Sequence, residues 1–322
     1  MNRSIALLLA AAGVIALAAT AIAEPPPIFM YQFYGYGGFN QIQQFARRPD
    51  GRIYVADAYD NRLLVYTEGG LFLEQIGSYG NALGQLNIPS GVAFDKDLNL
   101  YVAEQFNHRI QKFSPSHNPI FTFGTYGSGP GQLQYPTNLA FSPDGNTLYV
   151  TELLGHRISM FDRSGGFLGS FGSEGAGPGQ FSHPYGIITD ALGDVFIANQ
   201  FNNRIDHFTA AGGFLGSFGT PGTGPGQFHY VVGLGIDEQQ NIYATDQLNN
   251  RCQKFTHDGT PLSQWGSFGG GPGQMYNPWA ILPLPDGNIF ISDTYNYRIQ
   301  VWGTPATPTQ SVTWGSLKAR YR

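Results

Sequence analysis

The chain has 322 residues and a formal net charge of −5; glycine supplies 44 of them, while charged residues make up only 12% and aromatic residues 14%. Disordered chains are rich in charge and poor in aromatics, so this composition excludes disorder. Glycine at about twice its ordinary share argues against a helical protein and for many short strands joined by tight turns.

The first segment reads as a secretory signal. Arg3 precedes an apolar stretch from Ile5 to Ala19, and Thr20 leads into Ala21-Ile22-Ala23, with small residues at both positions of a cleavage site. An uncleaved anchor is the alternative, because Ile5 to Ala23 is just long enough to span a bilayer. The expectation is export to the periplasm, the cell surface or the medium, with a mature chain starting at Glu24. Removing Arg3 and the tail cations Lys318, Arg320 and Arg322 leaves 13 basic against 22 acidic residues, a net of −9. Nucleic acid is a poor partner for such a body.

Ile28 to Gly35, I-F-M-Y-Q-F-Y-G, reads as a strand that precedes the first repeat. From there the chain repeats itself. Arginine recurs at Arg62, Arg109, Arg157, Arg204, Arg251 and Arg298, at intervals of 47 residues with one of 48. Five residues before each stands Asp57, Glu104, Glu152, Asn199, Asp246 or Asp293. A second marker keeps the same period: Gly37, Gly84, Gly131, Gly179, Gly226 and Gly273, most of them within Gly-Pro-Gly-Gln. A period in this range means an array or a propeller.

The clearest copy resolves into four strands. Tyr185 to Thr189, Val195 to Ala198, Ile205 to Phe208 and Phe214 to Phe218 are separated by turns at Asp190 to Asp194, Gln200 to Asn203 and Ala210 to Gly213. Six such antiparallel meanders arranged radially make an all-β, six-bladed β-propeller. The repeats run at about 37–83, 84–130, 131–178, 179–225, 226–272 and 273–303. The last repeat lacks an outer strand, and Ile28 to Gly35 resembles Phe167 to Gly172, so the N-terminal strand is expected to close the last blade. Val312-Thr313-Trp314-Gly315 is the competitor. The expected domains are a signal peptide at 1–23, the propeller at 24–303, and a linker with a basic tail at 304–322. Cys252 takes the place of Leu63, Ile110, Ile158, Ile205 and Ile299, which makes it a core hydrophobe and leaves no disulfide.

The glycine-rich loop, the Pro-x-Gly step, I-Y-V-A-D and N-x-R-I-x-x-F together resemble the NHL repeat, most fully in Phe181 to Phe208 and Leu100 to Phe113. The resemblance covers residues 28 to about 302 and implies the propeller fold. It leaves function open, since NHL propellers include RNA-binding and protein-binding modules and a peptide-amidating lyase. That lyase implies a central zinc held by three histidines, and lactonase-like propellers imply calcium held by Glu, Asn and Asp. Neither set is legible here. No three of His108, His117, His156, His183, His207, His229 and His257 fall at equivalent inner-strand positions, and Asp95, Asp190 and Asp237 end their strands at the wrong face. No metal or other cofactor is therefore expected, with zinc or calcium as the possible exceptions.

The pairs of acid and arginine sit at the base of a hairpin turn, and their sixfold recurrence marks structure rather than catalysis. Asn199 suggests that charge is dispensable there. His108 and His156, directly before their arginines, occupy ordinary turn slots. The glycine loops lead into strands, so they are connectors rather than phosphate cradles. Because strands alternate in direction, the loops leading into the inner strands share a face with the turns between second and third strands. On that face the residues expected to contact a ligand are the varied Gln43, Ser90, Thr137, Tyr185, Val232 and Trp279, with Tyr230. The apolar turn residues Tyr59, Phe106, Leu154, Phe201, Leu248 and Tyr295 are expected to pack between blades. The resulting expectation is a monomeric, non-catalytic binding scaffold for a protein, peptide or glycan. The alternatives are a metal-dependent lyase or hydrolase working in the central channel and, more weakly, an RNA binder.

Overall fold

In the computed structural model residues 24–303 are described; the signal segment, the tail and the competing strand at Val312 to Gly315 lie outside them. Six four-stranded antiparallel sheets follow one another along the chain. Blade 1 is Ile42–Arg47, Arg52–Asp57, Arg62–Thr67 and Phe72–Ile76; blade 4 is Pro184–Thr189, Val195–Asn199, Arg204–Phe208 and Phe214–Phe218. Blade 6 takes three strands from the end of the chain, Pro278–Pro283, Ile289–Asp293 and Arg298–Gly303, and its fourth, Ile28–Tyr34, from the start. The closing pair is antiparallel from Ile28↔Gly303 to Tyr34↔Arg298, with a bulge between Phe29 and Tyr31. Closure leaves no open edge between the first and last blades. No helix among the described residues is long and apolar enough to cross a membrane.

The second strands are apolar at nearly every position because each blade is buried on both sides. Tyr54 and Ala56 pack against blade 2, while the alternate residues Ile53 and Val55 pack against blade 6. Six hydrophobic clusters result, one between each pair of neighbouring blades. Cys252 is fully buried in the cluster between blades 5 and 6, and burial pushes its thiol well above the ordinary range.

At one inner-strand position of blades 2 and 5 the neighbouring backbone comes so close that no side chain fits. A Cβ on Gly91 would lie 2.3 Å from the Thr137 carbonyl oxygen, and one on Gly233 would lie 2.2 Å from that of Trp279. These two glycines, Gly91 in a Pro-x-Gly step and Gly233 after Val231-Val232, are thus dictated by the neighbouring blade's backbone.

Candidate functional site

The turn face is built on buried ion pairs. Arginine Nε meets the carboxylate five residues earlier at 2.8 Å for Asp57 and Arg62, 2.7 Å for Glu104 and Arg109, 2.7 Å for Glu152 and Arg157, 2.7 Å for Asp246 and Arg251, and 2.6 Å for Asp293 and Arg298. All five carboxylates are fully buried. The remaining guanidinium donors reach back to the glycine-rich connector: Arg251 donates to the carbonyls of Thr223, Gly224 and Gln227, and Arg298 to those of Gly270, Gly271 and Gln274. Each arginine therefore ties a hairpin turn to the loop that enters its blade.

Blade 4 keeps its charge by moving it. Arg204 Nε lies 2.7 Å from Asp206, and Asn199 donates to the other oxygen of the same carboxylate at 2.6 Å. The acid displaced from position 199 reappears seven residues later, where Gln111, Ser159, Gln253 and Gln300 stand in other blades. A carboxylate thus meets the arginine in all six blades, where the sequence alone left blade 4 without one. Burial raises the carboxyls of Asp57, Glu104, Asp206 and Asp246 above their ordinary range, against the lowering pull of their hydrogen bonds and arginines.

The residue before each arginine is a left-handed turn residue, and in blades 1 to 5 it latches one blade to the next. Asn61, His108, His156, Asn203, Asn250 and Tyr297 all have φ between 48° and 54°. Asn61 Oδ1 accepts from the Ile88 amide at 2.9 Å, and Asn203 and Asn250 accept from Tyr230 and Asn277 at 2.8 and 2.9 Å. His108 and His156 do the same through Nδ1, from Tyr135 and His183, both at 3.3 Å. They are half-buried latches rather than ordinary surface turn residues, and burial holds the His108 imidazole below its usual pKa, in the form that can accept.

The expected ligand-contacting residues gather around the axis, but inside it. Ser90, Thr137 and Val232 have no exposed surface. Ser90 donates to the Pro136 carbonyl at 3.0 Å, and Thr137 and Thr151 hydroxyls meet at 2.7 Å. Tyr185 and Gln43 are buried and bonded to each other, and the Tyr185 ring meets the half-buried Trp279 edge to face at 5.2 Å. Together these three fill the axis at the turn face. Tyr230 stands apart, half-buried against Phe201 at 4.8 Å.

The turn residues take the opposite place. Tyr59, Phe106, Leu154, Phe201, Leu248 and Tyr295 are not buried between blades: each exposes between 39% and 55% of its surface, although Phe106 and Phe201 touch Tyr135 and Tyr230, which lead into the next blade. The sequence could not separate these positions because an apolar residue in a turn serves a blade interface and a binding surface equally well. Aromatics from connectors and lead-in loops join them: His108 contacts Tyr126 and Tyr135, and Tyr276 lies between Phe268 and Tyr295.

The other end of the axis opens into a cavity of about 370 Å³. It is lined mainly by apolar side chains such as Phe45, Phe141, Ile187, Leu234 and Ile281. Its one charged lining residue, Arg47, pairs with Glu68 at 2.6 Å, and no His, Cys, Asp or Glu lines it. Asp95, Asp190 and Asp237 lie outside this lining. Burial alone would raise the Asp95 carboxyl, yet hydrogen bonds from Asn99 and the charges of Lys112 and Arg163 hold it below its ordinary range.

Residues 86–113 match the NHL repeat. No curated protein matches the chain. Among solved structures, a streptogramin B lyase is 14% identical with a TM-score of 0.62, covering 87% of this chain and 98% of its own. A putative gluconolactonase is 13% identical with a TM-score of 0.64, covering 88% and 94%. A catalytically inactive virginiamycin B lyase from Staphylococcus aureus, with quinupristin, is 16% identical with a TM-score of 0.58, covering 82% and 80%. At these identities the likeness is one of fold.

Proposed function

For a six-bladed β-propeller that carries an NHL repeat, we propose a binding function, with a protein or peptide held on the turn face. The observation that carries this reading is the set of six apolar side chains, one per blade, all exposed on the same face of the molecule. Apolar side chains repeated across one face and enriched in aromatics are typical of interaction surfaces. The signal-like segment at 1–23 supports an exported protein, and nothing in the repeats calls for more than one copy of the chain. The net charge of −9 that remains without Arg3 and the tail cations Lys318, Arg320 and Arg322 speaks against RNA.

The lyase and lactonase-like structures keep a second reading in view, an enzyme with a channel metal. The channel lining speaks against it, because no carboxylate, imidazole or thiol faces that cavity.

Immobilised protein offered to peptide-display and glycan arrays tests both readings. The expected result is a peptide ligand whose affinity falls at least about tenfold, roughly 1.4 kcal/mol, when Tyr59→Ser, Phe106→Ser and Tyr295→Ser are combined, and which ignores Arg47→Gln at the channel. A ligand indifferent to the triple change, selection of glycans alone, or turnover of a lactone or streptogramin that depends on the channel would overturn it.

A further inference from the structure

Between blades 4 and 5, on the face opposite the turns, three ligand-type side chains meet, and a fourth, His257, reaches one of them. Asp190, Asp194 and His207 place ligating atoms within 4.8 Å of one another. His207 Nε2 lies 3.1 Å from Asp194 Oδ2, and His257 Nε2, from the next blade, lies 2.7 Å from Asp190 Oδ2. Asp190 is buried; the other three are partly open to solvent.

Corresponding positions in other blades show what is unusual. In blade 2 the equivalent acid, Asp95, accepts from the Tyr101 hydroxyl at 3.2 Å and pairs with Lys112 at 3.5 Å and with Arg163, from the next blade, at 3.3 Å. In blade 5 Asp237 accepts from Tyr243 at 3.1 Å and lies 3.9 Å from Lys254. Blade 4 changes all three partners: Phe196 replaces the tyrosine, His207 the lysine and His257 the arginine. The hydroxyl that would cap the carboxylate is gone, and among the described residues no lysine or arginine pairs with Asp190 or Asp194.

The local structure also aims the donors. Asp190 Oδ1 accepts from the Leu192 and Asp194 amides at 2.9 and 2.8 Å, which leaves Oδ2 to face the cluster. The His207 ring stacks on Phe196 at 4.1 Å, and His257 meets the same ring edge-on at 5.2 Å. Two imidazoles and two carboxylates suit a borderline divalent ion, which such donors bind at about 2.0–2.2 Å. A buried carboxylate is stabilised by a charged partner or a coordinated metal.

We propose that Asp190, Asp194, His207 and His257 form a binding site for a divalent transition-metal ion of the zinc type. The site clamps blade 4 to blade 5, lies away from the channel, and is independent of the binding function proposed for the turn face.

Titration of the untagged full chain with Co²⁺, followed by Zn²⁺ displacement, tests it. One equivalent of Co²⁺ should bind with visible absorption, give way to Zn²⁺, and raise the melting temperature. Combining His207→Lys with His257→Arg installs the side chains of blade 2 at these positions; it should keep the fold and weaken Co²⁺ binding at least tenfold. Should that pair fail to fold, Asp194→Asn serves the same purpose. His117→Gln, which alters the unrelated contacts of His117 to Tyr54 and Glu74, should bind as the unaltered chain does. Absence of Co²⁺ binding to the folded chain, or binding that survives loss of the two histidines or of Asp194, would overturn the proposal.

Discussion

The Tyr185 hydroxyl donates to Gln43 Oε1 at 2.6 Å, joining blade 4 to blade 1, its opposite across the axis. The bond spans the middle of the ring, and both side chains are buried. Burial also pushes the Tyr185 phenol far above its ordinary pKa, so it remains a donor.

Tyr185→Phe should therefore cost about 1–3 kcal/mol, because Gln43 is left with a buried, unpaired oxygen. Adding Gln43→Leu should recover part of that loss, since neither partner then remains orphaned. Urea unfolding of the two single variants and the double variant reads the coupling; simple additivity would show that the bond contributes nothing.

Buried carboxyls should make part of the stability fall as pH rises. The raised carboxyls of Asp57, Glu104, Asp206 and Asp246 hold protons more tightly in the folded chain than in the unfolded one. Their contribution is complete below the unfolded value of about 4 and is lost as pH rises through the raised folded values. Asp144, Asp162 and Asp258 act in the opposite sense: hydrogen bonds from Ser142, Ser164 and Thr256 lower their carboxyls, and that support fades as pH falls through the lowered values. His108 and His183, whose imidazoles burial lowers, add stability as pH rises through the unfolded value of about 6.5, so the carboxyls are read as a difference: from about pH 5 to about pH 7.5 the urea midpoint of Asp57→Asn should fall less, or rise more, than that of the unaltered chain. Parallel pH profiles of the two proteins would refute the assignment.

Two glycines should respond oppositely to the same change. Gly233→Ala drives a Cβ to 2.2 Å from the Trp279 carbonyl oxygen, whereas one on Gly216 meets nothing within 4 Å. The first substitution should cost about 1–3 kcal/mol or more, as overpacking does; the second should be neutral or stabilise by about 0.4–1 kcal/mol by restricting the unfolded chain. Thermal melts of the two variants decide, and equal shifts would contradict the close approach of the inner strands.

Much of the architecture is legible locally. Arginine and glycine recurring at 47 residues count the blades, alternating apolar runs locate the strands to within a residue or two, and the likeness of Ile28 to Gly35 to the other outer strands identifies the segment that closes the ring. The ion pairs are legible for the same reason, since partners five residues apart across a tight hairpin need no tertiary information.

What depends on the ring closing was not legible. Whether Ser90 or Phe106 faces solvent turns on how tightly six inner strands converge, and only the assembled propeller buries the first and exposes the second. The Asn199 and Asp206 exchange needs the register of two strands, and the meeting of His207 with His257 needs two blades side by side. The repeat, the strands and the closing segment rest on local periodicity and short-range pairing, and so could be read residue by residue. Which side chains fill the axis, which form the outer face and which gather between blades 4 and 5 follow from distances set by the packing of one blade against the next.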